Sequence, residues 1–146
     1  MKSNLSSEPE DFKIITFEEF EVLLNKDSDK LRIYNFWATW CGPCVKGMKD
    51  FPELQEKLGD SLLIVSISVD SDIAKAQKFV ERNGYTWQFL YSGPDHPVLK
   101  DYNVKGYPTY LLLDPTGKIL LGKQESFTMM HSKKKAKLIR KKMKNQ

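Results

Sequence analysis

The feature that most limits what this chain can become is a pair of cysteines, Cys41 and Cys44, the only two in 146 residues. With two residues between them they cannot staple distant parts of a chain, so they are a local pair rather than a disulfide framework. The residues that lead toward them, Leu31 to Trp37, are aromatic and branched and form too short a run for an ordinary helix, which predicts a buried strand. Pro43 suits the first turn of a helix, where its missing N–H costs nothing. The two thiols therefore stand where a strand feeds a helix.

The rest of the sequence supplies layers for such a unit. Residues 1–11 are polar apart from Leu5 and read as a disordered leader, with a single domain over residues 12–146. Thr16 and Glu19 have capping-box spacing, and Phe17, Phe20, Val22, Leu23 and Leu24 follow as an apolar face, which predicts a short helix ending near residues 25–28. Val45, Met48, Phe51, Leu54 and Leu58 recur at roughly helical spacing, so the helix opened by Pro43 is expected to reach Gly59 with a kink at Pro52. Leu62 to Val69 reads as a second buried strand. Asp72 reads as the cap of a helix that carries Ile73, Ala76, Phe79 and Val80 and stops at Asn83-Gly84. After Trp87-Gln88-Phe89-Leu90 comes a loop with Gly93, Pro94 and Pro97. Tyr110 to Leu113 and Lys118 to Leu121 are strands joined by the turn Asp114-Pro115-Thr116-Gly117, and Ala136, Ile139 and Met143 mark one face of a basic C-terminal helix. Strands alternating with helices and closed by a hairpin predict an α/β fold, a mixed central sheet with helices on both faces.

The chemistry follows from where the thiols lie. Thiolate is the nucleophile, and the positive end of a helix favours it, lowering a cysteine pKa from about 8.5 toward neutrality. Cys41, at the exposed end, is expected to attack a substrate disulfide, and Cys44, one turn further in and more buried, to resolve the mixed disulfide by attacking Cys41. Trp40-Cys41-Gly42-Pro43-Cys44 resembles the thioredoxin active-site motif. Together with Asn35-Phe36-Trp37-Ala38-Thr39 before it and Gly106-Tyr107-Pro108-Thr109 downstream, it is similar to the TlpA/ResA-like branch of that superfamily. The resemblance runs from about Phe12 to the C-terminal helix. It implies a thioredoxin fold and a thiol-disulfide oxidoreductase that reduces protein disulfides. It implies too that Trp40, Gly42 and Pro43 support the dithiol, that Pro108 is cis beside it, and that the backbone of Tyr107 pairs with an extended substrate.

Two departures from the resembled pattern bear on proton handling. Thioredoxins carry a buried acid where this chain has Asn35, and an amide cannot accept a proton as a carboxylate does. Asp70, at the end of the second strand, lies near where ResA-like proteins place an acid, and is a candidate for proton transfer from Cys44; helix capping is its other reading. Relatives that carry Glu and Pro after the second cysteine contrast with Gly47 and Lys49 here. Nothing in the sequence accounts for a glycine inside that helix, where it costs about 1 kcal/mol against alanine.

Other signals are weaker. His96 and His131 are far apart and lack ligand spacing, so no metal is expected, and a dithiol that cycles by exchange needs no bound organic cofactor. A thiol peroxidase of related fold is less favoured, because Ala38 stands where a peroxidatic cysteine has its threonine. Trp40 and Tyr107 are expected at a docking surface, Trp37 and Tyr110 in the core. Residues 133–144 hold eight of the chain's 23 basic residues and no acid, whereas the remainder has 15 basic and 19 acidic residues. This tail reads as a solvated helix face, with a thioredoxin-like partner-binding module as the alternative function; no nucleic-acid motif accompanies it. The expected partners are protein or peptide disulfides and an upstream thiol reductant, acting on a monomer. No apolar run of about 20 residues is present to span a membrane, and Lys2 is followed by Ser3, Asn4, Leu5, Ser6, Ser7, Glu8 and Pro9 rather than by an apolar stretch. The resembled branch favours an extracytoplasmic or periplasmic protein in leaderless form, with the cytoplasm as the alternative.

Overall fold

In a computed structural model, the described residues are 12–16, 18, 19, 22 and 29–144; the expected leader and most of the first helix lie outside them. The elements are β1 (Lys13–Ile14), β2 (Leu31–Trp37), α1 (Gly42–Met48), α2 (Phe51–Leu58), a 3-10 turn (Gly59–Ser61), β3 (Leu62–Ser68), α3 (Ile73–Asn83), β4 (Gln88–Tyr91), α4 (Pro97–Asp101), β5 (Thr109–Leu113), β6 (Ile119–Leu121), α5 (Lys123–Met130) and α6 (Lys135–Lys144). Glu18, Glu19 and Val22 are helical, and the capping pair before them forms: Glu19 N–H donates to Thr16 Oγ1 at 3.0 Å and Thr16 N–H to Glu19 Oε1 at 2.9 Å.

One mixed sheet orders the strands β1-β4-β3-β2-β5-β6. β2 pairs parallel with β3 and antiparallel with β5, so it is flanked on both sides, and all seven of its residues are buried. This is why its sequence runs almost unbroken in apolar residues rather than alternating. Side chains of a strand alternate between faces, so Asn35 and Trp37 share one face with Tyr110, which lies opposite Asn35 in the register. Ring contacts place α2 and α3 on that face: Phe51 meets Trp87 at 5.3 Å, and Phe79 meets Trp37 at 5.3 Å. Tyr34 points to the other face, near Tyr102 at the end of α4; burial pushes its phenol up to about 12.

The expected single helix from Pro43 to Leu58 is instead two. The N–H groups of Lys49 and Asp50 reach back only three residues, to the Lys46 and Gly47 carbonyls at 3.3 Å each, closing α1, and Pro52 sits in the first turn of α2, where a missing N–H is harmless. α3 keeps its expected ends: Asp72 accepts from Ala74 N–H at 2.9 Å, and Gly84 takes the left-handed conformation (φ 65) that ends the helix. The short strands β1 and β4 and the short helices α4 and α5 were not expected. β1 and β4 have two and four residues, too few for a period to register, and α4 occupies five residues of the segment read as loop.

Candidate active site

β2 ends at Trp37, and the chain turns once before α1. Val69 N–H donates to Trp37 carbonyl at 2.9 Å, and Cys41 N–H to Ala38 carbonyl at 3.1 Å. Between them Thr39 is held by Asp70. Its N–H lies 3.1 Å from both carboxylate oxygens, and its hydroxyl donates to Oδ1 at 2.6 Å. Ser68 Oγ donates to Oδ2 at 2.8 Å and accepts from Asp70 N–H at 3.1 Å. Asp70 is only 1% exposed, so these bonds form away from bulk water, where a carboxylate needs them most. Asp72, not Asp70, caps α3.

Cys41 occupies the N-cap of α1 in extended conformation (φ −97, ψ 104), and its Sγ accepts from Cys44 N–H at 3.2 Å. An N-cap normally offers oxygen to this otherwise unpartnered donor; here sulfur takes the place. The two cysteines form a disulfide with Cα atoms 5.2 Å apart. Cys44 is 1% exposed and Cys41 6%, so the outer sulfur is more accessible than the inner one but less open than the sequence suggested. Gly42 and Pro43, the residues between them, are exposed.

The downstream loop reaches the same place. Thr109 pairs with Phe36 across β5 and β2, which carries Pro108 toward the end of β2 at which the dithiol begins. The Tyr107–Pro108 peptide bond is cis. Tyr107 meets Trp40 edge to face at 5.8 Å, so Trp40-Cys41 and Tyr107-Pro108 form one surface. Trp40 is 66% exposed and Tyr107 half-buried, whereas Trp37 and Tyr110 are buried in the core.

Beneath α1 and α2 lies a second polar group, this one uncharged. Asn35 Nδ2 donates to Ser66 Oγ at 3.1 Å, and Trp87 Nε1 donates to the same hydroxyl at 2.9 Å. Asn35 Oδ1 is buried and has no hydrogen-bond partner among the described residues. On the same face the Tyr110 hydroxyl presses against α1: a Cβ added at Gly47 would come within 2.8 Å of it. That accounts for the glycine, whose place a larger residue could take only by moving Tyr110. Burial, with Asp50 nearby, pushes the Tyr110 phenol up to about 12.

Of the histidines, His96 caps α4 through Val98 N–H at 3.0 Å, and His131 stacks on Phe127 at 4.1 Å. Among the described residues no three His, Cys, Asp or Glu side chains are grouped to hold a metal. Thr39 and Ser68 are the site residues that sequence reasoning missed as partners of Asp70. Their pairing spans 31 residues for Thr39, and no local pattern announces it.

Comparison with known proteins points the same way. The redoxin family matches residues 11–138. Thioredoxin-like protein YneN of Bacillus subtilis strain 168 is 33% identical over 116 residues, covering 75% of this chain and 65% of its own length. Thiol-disulfide oxidoreductase ResA of Geobacillus kaustophilus strain HTA426 is 33% identical over 112 residues, covering 75% of this chain and 63% of its own length. The chain thus spans less than two thirds of these relatives. The thioredoxin domain of a thiol-disulfide oxidoreductase from Bacteroides vulgatus superposes with a TM-score of 0.66 at 23% identity, over 79% of this chain and 80% of that one, which establishes the common fold.

Proposed function

Because the chain belongs to the redoxin family, we propose that it is a thiol-disulfide oxidoreductase that reduces protein or peptide disulfides through Cys41 and Cys44. The observation that carries this reading is the N-cap geometry: the Cys41 sulfur accepts from Cys44 N–H at the start of α1, an arrangement that stabilises a thiolate there, beside the exposed Trp40.

In the reduced protein the Cys41 thiolate attacks one sulfur of a substrate disulfide. The substrate S–S bond breaks, a mixed disulfide forms at Cys41, and the departing substrate sulfur takes up a proton. Cys44 then gives up its proton and attacks Cys41 Sγ, releasing the second substrate thiol and leaving the Cys41–Cys44 disulfide. Two electrons have passed to the substrate, and an upstream thiol reductant returns them, so no bound cofactor or metal is required. Trp40 and Tyr107 offer apolar contact to an extended segment, and the Tyr107 backbone before Pro108 offers it hydrogen bonds. Gly42 and Pro43 leave the approach to Cys41 uncrowded. Asp70 serves as the positioning residue of the Thr39 loop rather than as the proton acceptor for Cys44, since its oxygens already accept from Thr39 and Ser68.

The described residues share a single sheet, which supports one domain, and the likeness to ResA supports an extracytoplasmic reductant. Among the described residues no helix is long and apolar enough to cross a membrane. Insulin disulfide reduction tests the proposal. Cys41→Ser is expected to abolish turnover, and Cys44→Ser to accumulate a mixed disulfide; undiminished reduction by Cys41→Ser would overturn the assignment. A thiol peroxidase would instead turn over hydroperoxide.

A further inference from the structure

The C-terminal helix carries charge that the dithiol chemistry does not use. Residues 133–144 contain eight basic residues and no acid, on a chain whose remainder is net acidic. α6 is fixed to the body by its inner side: Ile139 is fully buried, Lys135 pairs with Asp50 at 3.4 Å, and Arg140 donates to Lys57 carbonyl at 2.8 Å. Its outer side is different. Lys137, Lys141 and Lys144 recur at helical spacing and are exposed, with Leu138 among them, 37% exposed.

Beside this stripe runs a groove of about 410 Å³ between α5 and α6, with Leu121, Met129 and Leu138 as its apolar lining and Lys141 and Lys142 also along it. Glu125, the acid in that lining, is turned toward Gly122 N–H at the start of α5.

We propose that this face docks on an anionic lipid bilayer, the lysines meeting headgroup phosphates and Leu138 and the groove meeting the acyl-chain boundary. Charge complementarity selects an anionic surface, and the apolar groove among the lysines selects a bilayer over a nucleic acid, which would engage the lysines and leave the groove uncovered. The placement suits the dithiol. α6 starts near Asp50 and its last turn brings Met143 to a cavity shared with Leu31 and Pro115, at the opposite end of β2 from Trp37. A molecule held by α6 keeps Cys41 free for substrate.

The test is co-sedimentation of the full chain with phosphatidylglycerol/phosphatidylcholine vesicles and with pure phosphatidylcholine vesicles at physiological salt. Binding at least tenfold tighter to the anionic vesicles is expected. Lys137→Glu/Lys141→Glu/Lys144→Glu should abolish it, and the uncharged Leu138→Gln should weaken it severalfold, while both variants keep wild-type insulin reduction and so remain folded. Equal binding to the two vesicle types, no binding to either, or no effect of Leu138→Gln would overturn the proposal. Full displacement of the vesicles by duplex DNA at equal phosphate would overturn it too, in favour of a general polyanion patch.

Discussion

Two buried polar groups lie within a few residues of each other on β2 and β3, and they are built in opposite ways. The Thr39–Asp70–Ser68 group is charged, and the carboxylate accepts from a backbone N–H and two hydroxyls. The Asn35–Ser66–Trp87 group is neutral and leaves one amide oxygen without a hydrogen-bond partner among the described residues. The difference separates two tasks that a single acid could otherwise perform. Asp70 accepts from the Thr39 loop that leads to Cys41, while the group beneath α1 carries no charge that would have to be desolvated there. In the resembled thioredoxins the buried acid occupies the Asn35 position; here the acid stands at the strand end instead.

Removing the charged group is expected to have the largest effect. Asp70→Ala leaves Thr39 N–H and two hydroxyls without their acceptor, and should cost about 3 kcal/mol of stability in urea unfolding and reduce insulin turnover more than tenfold. A variant with wild-type turnover would show that the loop holds its shape without the clamp.

Charging the neutral group should come next. In Asn35→Asp, burial holds the carboxyl pKa above its unfolded value of about 3.9, so the native state keeps its proton in a pH range where the unfolded chain has lost it. Stability then falls as pH rises through that range. The variant should match wild type near pH 4 and be less stable by about 2 kcal/mol at pH 8, read from urea melts at both values. A pH-independent difference would mean that the site solvates the carboxylate.

The sequence made these two groups unequally legible. Asn35 could be read as a non-acid from its place before Phe36-Trp37, because the motif fixes its register. Asp70 was visible as an acid near the site, yet its partner was not, since Thr39 reaches it across two strand ends. The core strands, the capping pair at Thr16 and Glu19, the stop at Gly84 and the dithiol's strand-to-helix setting were all legible, each resting on local chemistry or a long pattern. β1, β4 and α5 were not, because their places come from packing against neighbours. The break between α1 and α2 belongs to the same class: Pro52 was read as a kink, but in the first turn of a new helix it costs less.

Gly47 extends the contrast to the neutral face. Gly47→Ala gains helix propensity but brings a Cβ within 2.8 Å of the Tyr110 hydroxyl, and should destabilise by about 1 kcal/mol. Adding Tyr110→Phe should restore most of the loss in thermal unfolding. Failure of that rescue would place the strain elsewhere.

The smallest effect is expected at the margin of this face, where His131 packs on Phe127 and Tyr110. Burial first, and then Lys135 with Lys46 adding less and Asp50 opposing, holds its imidazole below the ordinary 6.5. Below pH 6.5 the unfolded chain therefore binds this proton more readily than the native one, and stability falls slightly on acidification. His131→Gln should flatten that slope in melts between pH 7.5 and 5.

The reduction potential of the Cys41–Cys44 pair, equilibrated against glutathione, tests most directly whether this dithiol is a reductant. The account predicts a value close to that of thioredoxin, about −270 mV; a value near −120 mV would identify an oxidant and contradict it.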